Sequence, residues 1–345
     1  MFSARTMKPL SLQGHTRALT RVRINRDGDL LFTSSKDHTP CVWYLENGER
    51  IGTYIGHSGV IWDIDVSWDT KTLVSSSGDP SVKVWDVETG KVLGTRRVKT
   101  VGRSVSLSYS GNLVAYTTTK VAMTEPMLFV ADIRDPSQLS SPSLPTEQTD
   151  PSQLNSVGNV TLDVSSNRCV FSHLDDTIVV GATNGHLHQY DLRSFDDAVN
   201  FCQTHSQNIN DLQVSHDEGF IISSSADKTA QLHDAKSLDT LKTYRHTRPV
   251  NSAAISPTHD YICLGGGEEA INVTHTAVSS GQFEAKLYHM VYENEFAFFK
   301  GHFGPINTLA YSPDGRTIVT GSEDGFVRIQ EMDQEYFDFQ FQSDY

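Results

Sequence analysis

Four segments of the chain are laid out on one ruler. In "GHTRALTRVRINRDGDLLFTSSKDHTPCVWY" His15, Asp37 and Trp43 stand 22 and then 6 residues apart, and in "GHSGVIWDIDVSWDTKTLVSSSGDPSVKVWD" His57, Asp79 and Trp85 keep both intervals. "THSQNINDLQVSHDEGFIISSSADKTAQLHD" repeats them with His205, Asp227 and His233, and "GHFGPINTLAYSPDGRTIVTGSEDGFVRIQE" with His302, Asp324 and Gln330. A fifth copy is slipped by one residue. His246 precedes Glu269 by 23 and Glu269 precedes His275 by 6, which draws the glycine-rich "LGGGEEAINVTHT" into the same period. A period held over most of a chain means stacked units of one supersecondary type, since one such unit cannot bury its apolar face alone.

Within each unit, runs such as "LTRVRI", "LLFTSS" and "CVWY" are short, rich in β-branched and aromatic residues, and divided by turn residues such as "RDGD". They predict a small antiparallel sheet per unit. The His, Asp and Trp-Asp positions resemble the WD-repeat family, which implies an all-β fold: a β-propeller of four-stranded antiparallel blades. Units ending near Trp43, Trp85, Ala131, Tyr190, His233, His275 and Gln330 make seven blades. Blades three and four are degenerate. "SVSLSYSGNLVAYTTTKVAMTEPMLFVAD" has no Gly-His, and "RCVFSHLDDTIVVGATNGHLHQYD" keeps Asn184 six residues before Tyr190.

Residues 1–6 read as a disordered extension, 7–333 as the propeller and 334–345 as an acidic and aromatic tail. The Pro/Ser-rich stretch 134–156, with "DPSQL" present twice, reads as a mobile surface insertion between blades three and four. Two segments compete to complete the last blade: "MKPLSLQ" ahead of the first Gly-His, and "EYFDFQF", where aromatic and polar residues alternate.

Charge and composition narrow the function. With 28 basic and 42 acidic residues the formal charge is −14, which opposes general affinity for phosphate backbones and argues against direct RNA binding. Cys41, Cys169, Cys202 and Cys263 are far apart with no CxxC pair, so neither a disulfide framework nor a zinc knuckle is expected. The N-terminus has no apolar signal region, and no run of about 18 apolar residues exists for a membrane span. The expectation is a soluble cytoplasmic protein in a reducing compartment.

Several residues invite chemical readings. His57, Ser77 and Asp79 have the residue types of a hydrolase triad. The same types recur as His15/Ser35/Asp37, His205/Ser225/Asp227 and His302/Ser322/Asp324, and a set repeated around a ring is a structural motif rather than one active site. The glycines of "LGGGEEAINVTHT" are not followed by Lys-Ser/Thr, so a hairpin in blade six is expected rather than a phosphate loop. His186 and His188 share one face of a predicted strand, as metal ligands do, but no third ligand is identifiable. "RRVKTVGR" puts Arg96, Arg97, Lys99 and Arg103 in blade three, read as a solvated loop, with contact to acidic protein or RNA as the competing reading. No metal, cofactor or catalytic residue is assigned, and the chain is not read as an enzyme.

Features beyond the repeat carry a narrower resemblance. "VWYLENGERIGTYIGHSG", "LFVADIRDPSQ", "RPVNSAAISP", "LGGGEEAINVT" and "GQFEAKLYHMVYENEFAFFKGHFGPINTLAYSPDG" together resemble the i subunits of eukaryotic translation initiation factor three. The resemblance implies a non-catalytic scaffold, a monomer within a hetero-complex that binds the small ribosomal subunit and supports preinitiation-complex assembly and mRNA scanning. It implies the b and g subunits as partners, with a b-subunit helix held by blade-five acids whose matching positions here are Asp217 and Asp234. The alternative from the same fold is an adaptor in a signalling or ubiquitin-ligase complex. Against it, no F-box-like or coiled-coil helix precedes the propeller, and residues 1–6 leave no space for one.

Overall fold

The computed structural model of the chain describes residues 9–139, 156–172, 175–195, 197–267 and 283–338. They form seven four-stranded antiparallel sheets. The innermost strands, in blade order, are Leu19–Ile24, Ile61–Val66, Gly102–Leu107, Ser166–Ser172, Ile209–Val214, Val250–Ile255 and Ile306–Tyr311. Second strands such as Leu30–Ser35, Thr72–Ser77, Phe220–Ser225 and Thr317–Ser322 are buried on both faces, with large apolar residues first and small hydroxylic ones last. The apolar core is correspondingly divided. Each of seven buried clusters joins one blade to the next, as where Phe32, Val42 and Tyr54 of blade one meet Ile61, Ile64 and Trp85 of blade two. The last cluster packs Leu12, Leu19 and Val22 against Val319, Val327 and Ile329 and closes the ring.

Closure uses the N-terminal candidate. Leu10–Gln13 pairs with Phe326–Glu331, Leu12 opposite Val327, and supplies the outer strand of blade seven. In the described part of the tail, Gln334–Asp338 is one short helix whose Tyr336 and Phe337 pack against His259 and Tyr261 of blade six. Phe339 and Phe341 lie outside the described residues.

Blade boundaries differ from expectation in three places. Blade ends placed at Trp43, Trp85 and their counterparts are ends of third strands. Each blade has a further outer strand, such as Arg50–Thr53 or Asn200–Gln203, whose half-exposed, polar residues leave little hydrophobic pattern to read. In blade three that strand is Gly158–Thr161, pairing with Met127–Asp132. Residues 134–156 therefore join the third and outer strands of blade three rather than separating blades three and four; of them, 140–155 lie outside the described residues, and Pro136–Leu139 is a short helix. In blade six the third strand is Ala285–His289, with Tyr288 opposite Ile262. Tyr288 thus holds the position assigned to His275, since the second strand ends at Gly266 and the third begins at Ala285. Glu269 and His275 lie outside the described residues. The glycines before them serve packing: a Cβ on Gly265 would stand 2.7 Å from Ile306 Cγ2 of blade seven, and one on Gly266 2.1 Å from the Pro249 carbonyl.

Candidate functional site

The ruler residues build one hydrogen-bonded chain per blade. In blade two His57 Nδ1 donates to Asp79 Oδ2 at 2.8 Å, leaving Nε2 to accept the Ser75 hydroxyl at 2.7 Å. Trp85 Nε1 donates to the same Ser75 oxygen at 2.8 Å. Blade one places His15, Asp37, Thr33 and Trp43 at the same positions, 2.8–2.9 Å apart; against the effect of burial, the Asp37 carboxylate raises the His15 ring to about 9. In blade five His205 bonds Asp227 at 3.1 Å and Ser223 at 2.7 Å, and His233 takes the place of tryptophan with Nε2 2.9 Å from Ser223. In blade seven His302 bonds Asp324 at 3.1 Å and Thr320 at 2.8 Å. The carboxylates also accept the amides of Thr16, Ser58, Ser206 and Phe303, and so tie the loop before each inner strand to the turn after the second strand.

The hydroxyl is therefore not the one expected. Ser35, Ser77, Ser225 and Ser322 lie two residues further on and accept the amide of the turn aspartate, as Ser77 does from Asp79 at 3.2 Å. Strand alternation explains the difference: residues two apart share a face, so both serines point toward the histidine side. In blade two the hydroxyl that meets the imidazole, Ser75, is wholly buried, gives its proton to His57 and accepts from the Trp85 indole, and has no access to a substrate. Burial alone would raise the Asp37 carboxyl; the His15 ring and the Thr16 amide more than reverse this and hold it at about 2. Asp79, Asp227 and Asp324 are likewise held below the usual carboxylate range against the effect of burial.

The centre of the ring holds a site that the sequence reading missed. Arg21 Nη1 lies 2.5 Å from Asp211 and its Nε 3.4 Å from Asp63, while Arg168 Nη1 lies 2.8 Å from Asp63 and its Nε 3.4 Å from Asp211. This alternating ring joins blades one, two, four and five across the channel. Asp63 accepts Ser104 Oγ of blade three at 2.7 Å, and Asp211 accepts Ser252 Oγ of blade six at 2.6 Å. Burial opposes all four charges; the two arginines nevertheless keep Asp211 below its ordinary range, and the two aspartates raise Arg21. The available signal was a charge at the third position of four innermost strands, Arg21 in "LTRVRI", Asp63 in "IWDIDV", Arg168 in "SNRCVFS" and Asp211 in "INDLQV".

Asp217 and Asp234 occupy adjacent turns on one face of blade five, opposite the face of the His-Asp chains. Asp217, exposed in the turn between the first two strands, accepts the Ser215 hydroxyl and the Gly219 amide; Asp234 ends the third strand and accepts the Ser237 and Lys236 amides at 2.8 and 3.2 Å. The two turns are joined by Ala235 N donating to Gly219 O at 3.0 Å. Those donors hold both carboxylates below the ordinary range, so both are charged at neutral pH. In each, one oxygen is bonded within the turn; among the described residues the other has no hydrogen-bond partner.

The remaining candidates have structural partners. His186 and His188 lie against Phe201 at 4.7 and 5.0 Å, and among the described residues no group of three His, Cys, Asp or Glu is placed to hold a metal. Arg96 and Arg103 do not belong to a solvated loop: they lie in strands Val92–Arg97 and Gly102–Leu107. Arg96 is buried and donates to Tyr116 Oη at 3.1 Å and to the Gln138 carbonyl at 2.8 Å. The four cysteines are unpaired, and among the described residues no helix is long and apolar enough to cross a membrane.

Comparison with known proteins agrees with this architecture over nearly the whole chain. The EIF3I family model matches residues 7–342. The eukaryotic translation initiation factor 3 subunit I of Brugia malayi is 60% identical over 97% of this chain and 99% of its own length. The protein of that name from Caenorhabditis elegans is 52% identical with the same coverage, and that from Culex quinquefasciatus 46% identical over 97% of this chain and 100% of its own. The seven-bladed chain belongs to the family of eukaryotic translation initiation factor 3 subunit I.

Proposed function

We propose that the chain is a non-catalytic scaffold of the cytoplasmic initiation factor complex, holding the b and g subunits together and supporting small-subunit binding, preinitiation-complex assembly and scanning through protein contacts. Family membership carries the first part of this reading, and the pair of ionised acids on one blade-five face carries the contact. A basic, aromatic helix of the b subunit lies over these two turns, with Arg or Lys donating to the free oxygens of Asp217 and Asp234 and exposed Leu241 of the neighbouring outer strand supplying apolar area.

Blade two provides an internal control. Asp69 caps its first turn through Ser67, and Asp86 caps the turn after its third strand through Thr89, so the same two positions carry acids there. The test is titration of the full chain with the C-terminal helical segment of the b subunit. Replacing Asp217 and Asp234 with Lys weakens binding by at least about a hundredfold, through like-charge contact. Asp69→Lys with Asp86→Lys perturbs equivalent turns and leaves the affinity alone. Equal affinity of the blade-five variant and the unaltered chain overturns the assignment of the surface. Affinity purification of the tagged protein without the b and g subunits, but with a ubiquitin-ligase or signalling complex, overturns the scaffold role itself.

A further inference from the structure

Each innermost strand carries a bulge beside its first residue, and the bulged residues surround the channel mouth on the His-Asp face. Four of them are asparagines that hand a hydrogen bond to the next blade. Asn167 Nδ2 donates to Ile209 O at 2.9 Å, Asn210 to Val250 O at 3.0 Å, Asn251 to Ile306 O at 3.1 Å and Asn307 to Leu19 O at 3.0 Å. Thr20 Oγ1 continues the series to Ile61 O at 2.7 Å. The series breaks at blades two and three, where the same positions hold Trp62 and Arg103. There the guanidinium lies 4.2 Å from the Trp62 ring centre, and Nε donates to Asn167 Oδ1 at 3.3 Å. Among the described residues no carboxylate is within ion-pair distance of Arg103.

These residues line a blind funnel of about 410 Å³, floored by Arg168 and the ionic ring beneath it. The other charges of the lining are committed. Lys36 is paired with Glu323 at 2.9 Å, and Arg168 with Asp63 and Asp211. Arg103 is held flat by an aromatic face, and among the described residues its Nη edge has no hydrogen-bond or ion-pair partner. Burial and the nearby Arg168 charge bring its pKa down to about 10, so its surroundings disfavour the cation that an anion would stabilise.

We propose that this mouth is a second binding site, which takes the side-chain carboxylate of an acidic peptide segment in a fork-to-fork contact with Arg103. A carboxylate fits better than a nucleic-acid phosphate. One unanswered cation matches one anion, whereas a polyanion would meet the net charge of −14. The funnel lies on the face opposite Asp217 and Asp234, so its occupancy is independent of the blade-five contact.

The test is fluorescence anisotropy of the full chain with a labelled peptide Gly-Gly-Glu-Gly-Gly blocked at both ends, which carries one carboxylate, beside its Gly-Gly-Gln-Gly-Gly counterpart and a uridine dodecamer. Saturable binding of the glutamate peptide alone is expected, weakened at least about tenfold in Arg103→Gln and less in Arg103→Lys, which keeps charge without the fork. Asn167→Asp places a carboxylate against Arg103 from within and is expected to abolish binding; thermal unfolding of each variant checks that the blades remain folded. Absence of saturable binding of the glutamate peptide, equal binding by folded Arg103→Gln, or preference for the uridine dodecamer overturns the proposal.

Discussion

Replacing Ser75 by alanine isolates the polar chain of blade two from every other feature of the fold. Ser75 Oγ is buried between His57 Nε2 at 2.7 Å and Trp85 Nε1 at 2.8 Å, and Trp85 is itself wholly buried among Phe32, Tyr54 and Ile61. Alanine opens almost no cavity but leaves an indole N–H and an imidazole nitrogen without partners. At about 1–3 kcal/mol for each buried unsatisfied group, the loss is about 2–6 kcal/mol. Ser77→Ala removes only the acceptor of the Asp79 amide, one bond of 3.2 Å, and costs about 0.5–1.5 kcal/mol net. Ser75→Thr keeps the hydroxyl and introduces the residue that serves at this position in blades one and seven. It is expected to fall well below Ser75→Ala. Urea unfolding midpoints at pH 7, with native-state amide exchange of the strand Ser81–Asp86, measure both the size and the location of the effect. A Ser77→Ala cost equal to or larger than that of Ser75→Ala refutes the assignment of the central hydroxyl.

Two further perturbations act on buried charge. Burial first, and then the nearby His205, push the His233 ring down to about 3, so the folded chain keeps it neutral while the unfolded chain protonates near 6.5. Its stabilising contribution is complete above pH 6.5 and is lost progressively as pH falls toward 3. Comparing pH 7 with pH 5, the unaltered chain is expected to lose up to about 2 kcal/mol that His233→Trp retains, measured as the difference between their urea midpoints. Arg21→Met strands Asp63 and Asp211 beside a single arginine and is expected to cost about 3–5 kcal/mol, with Asp211→Asn recovering part of it in the double variant.

What could be read from the chain follows from which constraints are local. The His-to-Asp interval is fixed by one strand pair and its turns, so it survives intact in blades one, two, five and seven. Outer strands such as Gly158–Thr161 are edges that bury little, so their residues carry no strong alternation and the blade limits slip by one strand. The closing strand Leu10–Gln13 pairs with residues more than 300 positions away, and four residues give no basis for ranking it against an aromatic tail. The ionic ring is assembled from single charges on four different strands, each of which looks like an isolated misfit until the ring brings them together. The bulges that turn Arg103 and its counterparts to the channel mouth leave no mark on the sequence pattern.

In a repeated fold a residue at a repeated position is already explained by the fold. Asp217 has the turn-capping geometry of Asp69 and Asp314, and Asp234 that of Asp86, so neither acid is functional on geometry alone. A second kind of signal is what one blade does and its counterparts do not. His233 stands where blades one and two have tryptophan, and is tolerated because its Nε2 still meets Ser223. Trp62 and Arg103 stand where five other blades strap themselves to a neighbour. Losing that strap removes a hydrogen bond of about 0.5–1.5 kcal/mol net from the junction of blades two and three, where only the ring stack spans the gap; between blades three and four Arg103 Nε still donates to Asn167 Oδ1 at 3.3 Å. The strap given up at this one junction, together with a cation that has no carboxylate partner among the described residues inside a funnel, distinguishes this sector from the repeated motifs that only hold blades together, and marks a surface for a partner separate from the blade-five turns.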